Sequence, residues 1–112
     1  MPDDAEPFQS GLVRIEAEYL GSDVIIVLEG EFDVTGTARF WAHISEALEG
    51  HVTSITVNAH GVTFIDSSGV GALLRARAEA EELGVAFRVS EPSPALRRTA
   101  QAAGIEDLLA DG

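Results

Sequence analysis

Thr63-Phe64-Ile65-Asp66-Ser67-Ser68-Gly69-Val70-Gly71 reads as the end of a strand, a tight turn and the start of a helix. Thr63, Phe64 and Ile65 are β-branched or aromatic and follow a turn-like Asn58-Ala59-His60-Gly61. Asp66, Ser67 and Ser68 are helix-starting residue types, because their side-chain oxygens accept from backbone N–H groups that the first helical turn leaves unpaired. Val70, Leu73, Leu74, Arg77, Ala78 and Glu81 then recur at helical spacing. Two hydroxyls therefore stand at a helix N-terminus, where free amides and the helix dipole favour negative charge. The stretch alone leaves two readings open. The serines only cap the helix, or the site holds a phosphate, bound or attached to serine.

Upstream, Val13, Ile15, Ala17 and Tyr19 alternate with Arg14, Glu16 and Glu18, the pattern of a half-exposed strand. Gly21-Ser22-Asp23 makes a short turn into Val24-Ile25-Ile26-Val27-Leu28, a continuous apolar run expected to be covered on both faces. The short glycine-containing link makes the two strands an antiparallel hairpin. Gly30-Glu31-Phe32-Asp33 leads out of it, and Asp33 or Thr35 can cap a helix over about 35–49. Its spacing points Ala38, Trp41, Ile44 (or Ser45) and Leu48 at the core, with Phe40 and Ala47 flanking.

Downstream, the same reading gives a strand over 53–57, the central helix to about Leu83, and a strand over 85–89. Ser93-Pro94 opens a last helix over about 94–103, with serine as cap and proline in the first turn. Ile105, Leu108 and Leu109 are expected to tuck back onto the core. Helical crossovers between successive strands make those pairs parallel. The expected fold is α/β, a single domain with a small mixed, mostly parallel sheet of four to five strands and helices packed mainly on one face. Residues 1–10 are expected to be a flexible acidic N-terminus and 11–112 the folded domain.

Composition narrows the function. The chain has 112 residues, 46% of them hydrophobic, which suits one domain with a real core. Net charge is −12, and all seven basic residues are arginines. Direct binding to nucleic acid or to an anionic membrane is therefore not expected, since both need excess cations. There is no cysteine, hence no disulfide and no thiolate metal site. No long apolar run suggests membrane insertion, and the acidic start does not resemble a signal peptide. His43, His51 and His60 share no metal-ligand spacing, so no metal and no cofactor is expected. Ser67 lacks the glycine-flanked elbow of a hydrolase, and no histidine can be placed beside it, so no catalytic residue is assigned. Arg97-Arg98 can face a phosphate or acidic partner, or form ordinary helix surface.

Four segments, in this order and spacing, resemble the STAS-domain family of anti-sigma factor antagonists: 28–33, 62–71, the 93–98 helix opening and 103–105. The Asp66-Ser67-Ser68-Gly69 segment is the most specific of them. The resemblance implies a cytoplasmic, non-enzymatic binding protein. It implies a partner, an anti-sigma factor that is also a serine kinase, whose capture frees a sigma factor. Phosphorylation of Ser67, ahead of Ser68, then dissolves the complex, and a serine phosphatase resets it. On this basis the partner-binding set is Asp33, Thr35, Asp66, Ser67, Ser68, Gly69 and Val70, on a monomer. The chain departs from the family pattern at Asn58, where many members carry aspartate, and in having His60 nearby. Within the same fold the alternative is a STAS subunit of a transporter or multi-protein signalling complex without a phosphoswitch.

Overall fold

The computed structural model describes residues 12–109. Four strands form one sheet in the order β1-β2-β3-β4: β1 Arg14–Leu20, β2 Asp23–Phe32, β3 Ser54–Ile65 and β4 Ala86–Ser90. β1 and β2 are antiparallel, joined by Gly21 and Ser22, with Leu20 opposite Asp23. Gly21 sits at φ +66°, a backbone that glycine adopts without strain. The β2–β3 and β3–β4 pairs are parallel. Helices α1 Val34–Glu49, α2 Ser67–Glu82 and α3 Pro94–Ala103 make the connections and the final layer, followed by a 3₁₀ turn over Glu106–Leu109.

The buried strand residues Val24, Ile26, Leu28, Ile55, Val57 and Val89 point to one side and meet the helices there. The other side of β2 is not covered, contrary to the expectation from its apolar run. Ile25 and Val27 remain half-buried on a helix-free face, opposite Glu18 and Glu16 of β1.

Two further expectations do not hold. Asn58-Ala59-His60-Gly61 is not a turn. It runs inside β3, which is one strand through Ile65. Register against β2 slips between Val27 and Glu29 and again between Gly30 and Glu31, so β3 carries an extra residue at each place. Asn58 Oδ1 accepts from the His60 backbone N–H at 2.9 Å in the first irregularity. Residues that favour turns also suit bulges, because both satisfy backbone groups locally. Asn58 thus lies seven residues before Ile65, on the order of 20 Å from the strand end at strand rise.

The second correction concerns α1. Its buried residues are Gly36, Phe40, Ile44 and Ala47, while Ala38 is exposed and Trp41 half-buried. Phe40 meets Phe32 edge to face, with ring centroids 5.2 Å apart. Gly36 lies under the Val13 side chain with no room for a Cβ. These two contacts roll the helix by about one residue, and Trp41 instead takes the Arg75 guanidinium over its ring at 4.0 Å. Downstream, Ser93 caps α3 by accepting from the Leu96 N–H at 3.1 Å, and Leu108 is buried while Ile105 and Leu109 pack partly on the core.

Candidate functional site

The C-terminal end of β3 feeds directly into α2, and Asp66 is the N-cap. Its Oδ1 accepts from the Ser68 N–H at 2.9 Å and the Gly69 N–H at 3.2 Å. The carboxylate therefore does the capping that any of the three polar residues can perform. Ser67, the first helical residue, is exposed, and among the described residues its hydroxyl enters no hydrogen bond. Asp66, not Ser67, is therefore the cap.

The two serines open onto different grooves. Ser67 borders a largely apolar cavity of about 350 Å³ between α2 and α3, lined by Val70, Gly71, Leu74, Thr99, Ala102 and Ala103. Ser68 borders one of about 370 Å³ between α1 and α2, with Thr37, Ala38, Trp41, Ala72 and Arg75. Successive residues on a helix point about 100° apart, so one serine cannot replace the other geometrically.

Asp33 joins this end of the molecule through backbone packing. A Cβ on Gly69 would lie 2.5 Å from the Phe32 carbonyl oxygen, and Asp33 follows Phe32. Asp33 caps α1, accepting from the Thr35 N–H at 3.0 Å and from the Thr35 hydroxyl at 2.6 Å. The Thr35 hydroxyl, then its backbone N–H, holds the Asp33 carboxyl below its ordinary value. A lowered folded-state pKa means a stabilising contribution that is present at neutral pH. It is lost as the pH falls below the unfolded value and through the folded one. Asp33→Asn is accordingly expected to flatten the acid limb of the stability curve and to leave its alkaline limb unchanged, as read by thermal melts across pH.

Of the residues expected to meet a partner, Ser67 is exposed, and Asp33, Asp66 and Ser68 are half-buried. Thr35 is exposed, but its hydroxyl is committed to Asp33. Gly69 is buried, and Val70 is only 5% exposed, forming part of the groove floor. Sequence reasoning missed Val34 and Phe64, which are 67% and 47% exposed. Both flank the capping aspartates in sequence, one residue after Asp33 and two before Asp66. An apolar residue next to a cap was the available signal, but it does not distinguish a staple from a partner contact.

Gly71 is a separate clue. It sits inside α2, is exposed, and a Cβ there would meet nothing within 4 Å. Glycine in a helix interior costs about 1 kcal/mol relative to alanine, and the chain's own packing supplies no reason for it. Gly71→Ala is expected to raise stability by about 1 kcal/mol, measured as a higher urea midpoint at unchanged slope.

Among the described residues no cluster of His, Asp and Glu could hold a metal ion. The three histidines are dispersed. His60 approaches Glu91 at 3.9 Å with both side chains well exposed, and His51 carries the left-handed backbone that follows α1. Arg97 and Arg98 are exposed, and neither forms an ion pair among the described residues. No described helix is long and apolar enough to cross a membrane.

A mixed four-stranded sheet layered with helices on one face presents, at a strand–helix junction, an exposed serine that does not cap its helix. The family described as Mlab, STAS domain matches residues 15–110. An anti-sigma F factor antagonist of Lysinibacillus sphaericus is 37% identical over 89 residues, covering 79% of this chain and 76% of the relative. The unphosphorylated anti-sigma factor antagonist SpoIIAA superposes with a TM-score of 0.75 at 32% identity, covering 86% of this chain and 85% of the other. The phosphorylated form of the Bacillus cell fate determinant SpoIIAA gives 0.70 at 33% identity, with 86% and 88% covered. The chain belongs to the STAS-domain family of anti-sigma factor antagonists. These relatives are anti-sigma factor antagonists, which are regulatory proteins.

Proposed function

We propose that this chain binds an anti-sigma factor that is also a serine kinase, and that phosphorylation of Ser67 releases it. The observation that carries the reading is the division of labour at the α2 start. Asp66 holds the helix amides, so the neighbouring Ser67 hydroxyl is exposed and uncommitted. A hydroxyl engaged in capping would have to break its bond before reacting. In the transfer, Ser67 Oγ bonds to the γ-phosphorus of ATP as the bond to ADP breaks, and the hydroxyl proton passes to a base on the kinase. A serine phosphatase would remove the group by hydrolysis. The match to a protein solved in unphosphorylated and phosphorylated forms supports a modification compatible with this fold.

The partner-facing surface in this reading is the end of the molecule carrying Asp33, Val34, Thr35, Phe64, Asp66, Ser67 and Ser68, with the α2–α3 groove beside it. The net charge of −12 steers it towards a basic surface on the partner. The protein would act as a cytoplasmic monomer, with no direct role for nucleic acid. The test is phosphopeptide mapping of protein isolated from its own cells, paired with affinity measurements on both forms. One phosphate at Ser67, and much weaker binding of that form to the kinase, is the expected result. Equal affinity of the two forms would overturn the switch.

A further inference from the structure

We infer that Thr99, on α3, is a positioning residue for phosphoryl transfer to Ser67. The inference rests on the reading of Ser67 as the modified residue. β4 pairs with β3 only from Ser54 to Asn58. Beyond Asn58 the outer edge of β3 has no neighbouring strand, and α3 packs alongside instead. A strand edge left this way needs partners for its backbone groups. Thr99 provides one. Its Oγ1 donates to the Ile65 carbonyl oxygen at 3.3 Å, a contact between residues 34 apart in sequence.

Ile65 is the last residue of β3, and Asp66 and Ser67 follow it directly. Thr99 therefore ties α3 to the peptide that aims the junction. It also lines the same groove that Ser67 borders. A partner element seated in that groove presses on α3 and on the junction together. The direction of Ser67 Oγ towards the incoming phosphorus then depends on this tie. Misdirection by a fraction of an ångström to an ångström is enough to slow a transfer by roughly ten- to a hundredfold.

The test uses the kinase captured on immobilised wild-type protein from a lysate of its own cells, supplied with ATP. Initial rates are read by mass spectrometry of the Ser67 peptide for wild type, Thr99→Val and Thr99→Ser. Valine keeps the shape and removes the donor, and serine keeps the donor. The expected result is about a tenfold lower kcat for Thr99→Val with KM within about twofold, and recovery of kcat in Thr99→Ser. A role in folding alone would lower the melting temperature and leave the kinase's kcat on the folded variant unchanged, and that outcome overturns the inference. Failure of Thr99→Ser to recover kcat also overturns it. Thr99→Ala replaces the valine variant if valine unfolds below the assay temperature. Absence of phosphate on Ser67 of the wild type overturns the underlying switch and this inference with it. Phosphorylated wild type with unchanged Thr99→Val kinetics overturns the inference alone.

Discussion

Replacing Ser67 by glutamate is expected to weaken binding to the anti-sigma factor about a hundredfold and to leave the fold in place. Two unit charges ~6 Å apart at an effective dielectric of about 20 repel by roughly 2–3 kcal/mol. That energy corresponds to roughly a hundredfold in affinity. Phosphate carries about −1.5 to −2 charge and should do at least as much. The neighbouring Asp66 carboxylate opposes the added charge, but Ser67 is exposed at the first position of α2, where the helix dipole favours negative charge, so the fold should survive. Ser67→Ala separates a capping role from a switching role. A capping serine would cost about 1 kcal/mol when lost. Since Asp66 caps α2, the alanine variant should match wild-type stability to about 0.5 kcal/mol and bind constitutively. Calorimetry for affinity and urea unfolding for stability read both effects.

Gly69→Ala should be strongly destabilising although it adds a single methyl group. The added Cβ would lie 2.5 Å from the Phe32 carbonyl oxygen and 2.7 Å from Ile65 Cγ1. The first of these is backbone and cannot rotate away, so α2 must lift from the end of β2. Overpacking of this kind costs about 1–3 kcal/mol. The gain in helix propensity, about 1 kcal/mol, offsets only part of a cost at the upper end. A net loss of roughly 2 kcal/mol corresponds to a fall on the order of 10 °C in melting temperature for a domain of this size. The displacement also moves Ser67 relative to Asp33, so binding should fall even below the melting range. Gly71→Ala, the same chemical change two residues further on, carries the opposite expected sign. One glycine is buried against backbone and the other faces open space.

The candidate site was partly legible because helix-start chemistry is local. Asp66-Ser67-Ser68 announces a helix N-terminus, and its place after an apolar strand is visible without any contact. Which of the three side chains caps was not legible, since all three are capable and only the backbone position of Asp66 decides. The roll of α1 was hidden for a similar reason. Phe40 and Trp41 are adjacent aromatics, and the choice between them is made by Phe32 and Val13 on other elements. Asn58-Ala59-His60-Gly61 carries turn chemistry that serves equally in a strand irregularity, and only pairing with β2 distinguishes the two. Thr99 gave no signal, because its partner lies 34 residues away.

By itself the sequence determined the order of elements, the antiparallel start and parallel remainder of the sheet, and the strand–helix junction at Asp66-Ser67. Each depends on periodicity or capping within a few residues. The tertiary structure decided which face of β2 stays open, how close α2 approaches β2 at Gly69, and which groove each serine borders. Those outcomes depend on strand register and on contacts between distant segments. A shift of one residue in either reverses which side chains are buried and which meet a partner.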